Sequence, residues 1–246
     1  MGDDLSLGQI LLLTLLPALG SALGMMFAEW RKPPPWLTGT ALHMAAGIGT
    51  AVAAIELLPR AQERAEIWLV ALTFVLGALA SVALAALSRR LRGTEDRRKE
   101  LVWGAYTTIS IDLFSDGLMT GGGGAVAGNL GVLLAASQVL GNMPGGFAIT
   151  AGFREGGIER KKRLLAALSY PLAPMLGGLI GFLVLDGAGD LLTGAVLALF
   201  AGMLLTATIE DLVPEADQPG ARRRFSSPGF AFGFVLLLLM SAYLGG

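Results

Sequence analysis

The sequence predicts an all-α integral membrane protein, a single domain over residues 1–246 with eight transmembrane helices arranged as a 3+2+3 inverted-repeat bundle. Three observations carry this. Only 15% of residues are charged and 54% are hydrophobic, with mean hydropathy +0.65, where soluble domains run near 25% charged. Eight stretches are apolar over the roughly 20 residues a spanning helix needs. The basic residues are segregated onto alternate connectors.

The spans fall at about 6–28, 39–60, 66–88, 101–122, 128–152, 164–185, 189–212 and 228–245. Span one is not read as a cleaved signal peptide: Asp3 and Asp4 precede it instead of basic residues, and no small-residue cleavage site follows. The connectors fit as well. Pro33-Pro34-Pro35 cannot continue a helix, Arg89–Glu100 is a charge run, and Asp217–Pro228 is polar with two prolines.

Orientation follows from lysine and arginine. The connector after span one holds Arg31 and Lys32, and the one after span three holds Arg89, Arg90, Arg92, Arg97, Arg98 and Lys99. Arg154, Arg160, Lys161, Lys162 and Arg163 follow span five, and Arg222, Arg223 and Arg224 follow span seven. Only Arg60 and Arg64, of 18 basic residues, lie on the other side. The expectation is a multi-pass protein of the cytoplasmic membrane with both termini extracytoplasmic.

Two short patterns suggest internal duplication. Span two ends Glu56-Leu57-Leu58-Pro59-Arg60-Ala61 and span seven ends Asp211-Leu212-Val213-Pro214-Glu215-Ala216. The two spans run in opposite directions, so the shared acid-Leu-x-Pro-x-Ala pattern marks an inverted repeat, spans 1–3 against 6–8, with four and five as a central pair.

The central pair carries the candidate chemistry. Asp112 and Asp116 lie four residues apart in span four, on one helical face. Span five carries Gln138 and Asn142 at the same spacing. A glycine-rich turn at Gly121–Gly124 is expected to join the spans, with breaks at Gly117 and Gly145 and a kink at Pro144. Acids at membrane depth are costly and usually mark a transport path; hydrogen bonds to Thr107, Thr108 or Ser110 are the structural alternative. The amides are either ligands or inter-helical hydrogen-bonding groups. His43, Glu56, Glu210, Asp211 and Glu215, near span ends, are pathway or gate candidates, or else interfacial charges. An all-oxygen set suits manganese, magnesium, calcium or ferrous iron better than zinc or copper. Two close aspartates repel, so cation entry is expected to release a proton.

The order of these features resembles the ZIP family of divalent-metal transporters. Its span-four signature, His-Asn-x-Pro-Glu-Gly, aligns with Asp112-Leu113-Phe114-Ser115-Asp116-Gly117, and its span-five signature aligns with Gly141-Asn142-Met143-Pro144-Gly145-Gly146. Ala173 precedes Pro174 in span six, where the family often has glutamate. The resemblance implies a ZIP-like fold, a metal site on spans four and five, and alternating access by spans 1, 4, 5 and 6 shifting against 2, 3, 7 and 8. Asp112 and Asp116 would be the main ligands, and Asn142 and Gln138 secondary ones. The usual two-metal zinc site cannot be built, because Gly141 and Gly145 replace its span-five histidine and glutamate.

The expected function is movement of a divalent metal cation, as substrate, across the membrane, with no permanently bound cofactor. A ZIP-fold transporter of another solute, metal or organic, and a non-transporting scaffold or sensor are the alternatives. Membrane lipids are the expected surroundings, and a homodimer is left open. A net charge of −1 offers nothing to nucleic acid. With no cysteine there are no disulfides or thiolate metal sites. The single histidine, His43, supplies no nucleophile–base pair, so no enzyme is read from the chain.

Overall fold

The computed structural model describes residues 5–30, 35–91, 97–155, 157–217 and 223–244. These form helices without a strand among them. Most of the basic side chains used above for orientation, and the side chains of Pro144, Asp211 and Glu215, lie outside the described residues.

Span one is two helices, α1 (Leu7–Leu13) and α2 (Leu15–Trp30). Ser6 starts α1 with a capping box shared with Gln9. The break at Thr14 falls where Pro17, which has no N–H, leaves the Leu13 carbonyl without its helical donor. Span six breaks likewise, into α8 (Arg160–Ser169) and α9 (Leu172–Leu185), at Tyr170-Pro171 with Pro174 close behind. Proline is the cause in both.

Span two joins α3 (Pro35–Ala51) to the short α4 (Leu58–Gln62) through a π-helical turn over Val52–Leu57. Span seven repeats the design: α10 (Asp190–Ala207), a π-helical turn over Thr208–Leu212, then α11 (Val213–Ala216). Leu58 donates five residues back to Ala53, and Val213 five back to Thr208. Pro59 and Pro214 stand just after, where a regular i−4 hydrogen bond cannot form. The acid-Leu-x-Pro echo of the sequence thus recurs as one backbone feature in two places.

Spans three, four, five and eight are single helices: α5 (Ile67–Leu91), α6 (Arg97–Val126), α7 (Gly128–Glu155) and α12 (Arg223–Leu244). Two expectations are corrected here. Gly121–Gly124 form no turn but the last turns of α6, and Ala127 alone separates α6 from α7. Nor does either helix break at Gly117 or at residues 144 and 145.

The glycines are helical because neighbours leave no room for anything larger. A Cβ on Gly121 would stand 2.0 Å from the Gly178 carbonyl oxygen, and one on Gly117 would stand 2.0 Å from that of Pro174. Close packing of backbone on backbone, a common device in membranes, outweighs the roughly 1 kcal/mol per residue that glycine costs a helix.

The same contact pairs α6 with α9 and α2 with α7, and on the other side α3 with α12 and α5 with α10. Exchanging spans 1, 2, 3 and 4 with 6, 7, 8 and 5 reproduces this pairing, as an inverted repeat requires. Spans 1, 4, 5 and 6 therefore form one backbone-packed group and spans 2, 3, 7 and 8 another. The groups meet mainly through side chains, with Met119, Leu130, Leu133 and Leu134 against Val52, Leu197, Phe200 and Ala201.

Among the described residues, five stretches are long and apolar enough alone to cross a membrane: Leu7–Trp30, Gly39–Gln62, Ile67–Leu87, Arg160–Leu185 and Asp190–Glu210; Ser227–Tyr243 is apolar but shorter. Helices α6 and α7 are absent from that set. Both are 28 residues or longer, but they carry the acids, amides and glycines and are packed among other helices. The outward face of α5, with Ile67, Trp68, Leu72, Val75, Leu79 and Val82 exposed, is the opposite case.

Candidate metal site

The α6–α7 hairpin runs antiparallel, so residues climbing one helix meet residues descending the other. Asp116 faces Asn142: the Asn142 amide Nδ2 donates to Asp116 Oδ2 at 2.6 Å. The same nitrogen lies 3.5 Å from the carbonyl oxygen of Pro17 in span one. One turn along, Gln138 Nε2 donates to the backbone carbonyl of Asp116 at 3.2 Å, and Thr120 Oγ1 donates to Gln138 Oε1 at 2.7 Å. Thr120, Gln138 and Asp116 are all buried.

Asp112 stands one turn below Asp116 on the same face and is exposed. The helix opposite offers little there. Gly145 faces α6 at Ile109, and a Cβ on it would meet only Ile109 Cδ1, at 3.6 Å. At Gly141 a Cβ would meet nothing within 4 Å. The two positions where a ZIP signature carries ligands are open.

The remaining candidates are scattered. His43 Nδ1 lies 2.9 Å from the Gly39 carbonyl oxygen, and its Nε2 lies 3.6 Å from Asp217 Oδ1 at the end of span seven. Glu56 is buried in the π-helical turn of span two, where its carboxylate accepts from Arg60 Nη2 at 3.1 Å and from Ser241. It is an internal ion pair and not a solvated helix-end charge. Glu210 is exposed. The described residues contain no group of three or more His, Cys, Asp or Glu placed to hold one metal. What the arrangement offers is carboxylate oxygen from Asp112 and Asp116 and the amide oxygen of Asn142.

Sequence reasoning missed Thr120, which looks like any threonine of an apolar helix. It also missed a set of contacts at the far end of span one. Arg154 Nη1 donates to the Ala28 carbonyl oxygen at 2.8 Å. Arg163 grips Glu29 through Nε at 2.7 Å and Nη2 at 3.0 Å. Charge alone had marked both arginines only as topology signals.

An all-helical multi-pass protein built as an inverted repeat, with a buried acid where its two middle helices meet, has the architecture of a membrane transporter. The comparisons with known proteins narrow this. No family model matches the chain. The chain is 29% identical over 230 residues to the zinc transporter ZupT of Corynebacterium aurimucosum, covering 85% of this chain and 87% of that protein. It is 26% identical over 246 residues to the zinc transporter ZupT of Chlorobium chlorochromatii, covering 90% of each. The similarity spans nearly the whole of all three chains, and both relatives are described as zinc transporters.

Proposed function

We propose that the protein moves a divalent metal cation across the cytoplasmic membrane, binding it between spans four and five. Asp112 and Asp116 are the charged ligands and Asn142 Oδ1 the neutral one. The observation that carries this reading is the environment of Asp116. It is 6% exposed, and a neutral amide is its hydrogen-bond partner. A buried carboxylate without a cationic partner is costly, and a substrate cation supplies that partner. The relatives' description as zinc transporters points to the same substrate class.

The donor set is oxygen throughout. Hard divalent cations such as Mn2+ and Mg2+ suit it, and Zn2+ accepts carboxylate ligands as well. His43, engaged with Gly39 and Asp217, is not one of the donors proposed.

Alternating access comes from spans 1, 4, 5 and 6 moving as one body against 2, 3, 7 and 8. Two features support this. Helices within each group touch backbone to backbone, and the groups meet mainly through side chains. Arg154 and Arg163 further tie the end of span one to spans five and six. With both termini extracytoplasmic, those arginines lie on the cytoplasmic side.

The test is calorimetric titration of the purified protein with Mn2+, Fe2+, Zn2+, Cd2+, Mg2+ and Ca2+, followed by uptake into proteoliposomes. Saturable binding that Asp112→Asn/Asp116→Asn abolishes is expected, and uptake that persists in the double variant would overturn the site. Proton release predicts weaker binding as pH falls from about 8 to about 5, since protons then compete for the carboxylates. A flat affinity across that range removes the coupling.

A further inference from the structure

We infer that Thr120 and Gln138 are positioning residues, a brace that fixes the register of span five against span four so that Asn142 meets Asp116. The inference rests on the cation site proposed above and gives Gln138, expected from the sequence as a secondary ligand, the role of a brace instead.

The hydrogen bonds carry the argument. The Gln138 side chain has one acceptor atom, and Thr120 donates to it at 2.7 Å, taking one of its two lone pairs. Its amide donates to the Asp116 carbonyl at 3.2 Å. Both ends of the group are therefore used on α6, at positions one turn apart. The cost of losing either bond is high, because Thr120 is 0% and Gln138 8% exposed.

Thr120 departs from the habit of five other threonines. Thr40, Thr50, Thr73, Thr150 and Thr208 each donate the hydroxyl to the carbonyl four residues back in their own helix, the usual choice in an apolar helix. Thr120 instead reaches across to α7, and the carbonyl four residues before it, that of Asp116, takes the Gln138 amide.

The rest of the hairpin holds its register by apolar packing alone, with Leu130 and Leu134 lying over Gly123. Toward the turn, α6 and α7 meet through Gly124 and Gly131, whose backbones are in near contact. Glycine surfaces interdigitate poorly, so they resist sliding less than knobs in holes do. Setting register is the best-attested use of a buried polar contact between helices. The Asp116–Asn142 bond needs it most, since a slip of one residue turns Asn142 away by about 100°.

The test uses the full-length protein, titrated separately with Mn2+ and Cd2+. Thr120→Val is expected to lower both affinities roughly tenfold with their ranking unchanged, as loss of an outer supporting contact does, and Thr120→Ser to retain them. In an Asn142→Ala background, Thr120→Val is expected to add less than about twofold, because nothing remains to be aligned. If Thr120→Val binds as the wild type does while Gln138→Leu loses binding, Gln138 is a direct ligand and the brace is overturned. A changed ranking of the two cations overturns it equally.

A second readout needs no cation. The chain has no cysteine, so Ile109→Cys with Gly145→Cys creates one cross-linkable pair across the hairpin. Its yield is expected to fall when Thr120→Val is added, and an unchanged yield overturns the brace. This result stands even if the wild type binds neither cation, the outcome that would sink the proposed function instead.

Discussion

Two buried carboxylates in this membrane protein have opposite settings. Glu56, in the π-helical turn of span two, is 4% exposed and carries its own counter-ion: Arg60 one turn on, with the Ser241 hydroxyl donating as well. Asp116, in span four, is 6% exposed and is held by the Asn142 amide. Among the described residues no arginine or lysine pairs with it. Both are acids at depth in apolar sequence, where charge is costly. The difference teaches which of them can take a substrate. An acid already neutralised by arginine has little left to offer a cation, whereas one supported only by neutral dipoles suits the ligand role proposed for it.

The hardest way to break this comparison is Asp116→Asn. The substitution keeps shape and hydrogen bonding but removes the charge that a divalent cation must meet. Affinity measured by calorimetry is expected to fall roughly a hundredfold or more, the scale of removing one partner from a buried charge pair. An affinity within threefold of wild type would show that the two acids are alike after all.

Glu56→Gln is the counterpart, and its readout is stability. It leaves Arg60, whose side chain is 24% exposed, beside a neutral amide. A loss of about 3 kcal/mol is expected, seen as a midpoint of thermal unfolding in detergent lower by roughly 5–10 °C. Cation affinity of the folded fraction stays as in the wild type. A selective loss of binding with unchanged stability would move Glu56 into the transport path.

The sequence read the larger organisation well. Apolar length pointed to an all-helical membrane bundle, and the two Leu-x-Pro endings pointed to the repeat that the π-helical turns share. Asp116 and Asn142 were read on successive spans, and the structure brings them into contact. What it did not yield depends on neighbours distant in sequence. Gly121–Gly124 look like a turn by propensity, but Gly178, Phe200, Leu134 and Ile10 close around them and hold them helical. Glu56 looked like a membrane-edge charge because Ser241, 185 residues away, gives no local signal. Asp112 and Asp116 were read as equivalent, and packing makes one exposed and the other buried.

The finest test of the central helices uses two adjacent glycines. Gly146 sits with its α-carbon against span one, and a Cβ there would stand 2.0 Å from the Ser21 carbonyl oxygen. Gly146→Ala must push backbone from backbone and is expected to destabilise by about 1–3 kcal/mol. Gly145 points toward α6, where a Cβ finds only the end of the Ile109 side chain at 3.6 Å. Gly145→Ala is expected to be neutral or to stabilise by up to about 1 kcal/mol through better helix propensity. The same measurement on both, thermal unfolding in detergent, separates a glycine kept for packing from one that leaves a space. Gly145→Glu then asks what the space is for. Ile109 is one turn from Asp112, so a carboxylate on Gly145 has room to approach the exposed acid. A gain in divalent affinity without loss of fold is expected, and a variant that folds but binds no better would place that opening outside the cation path.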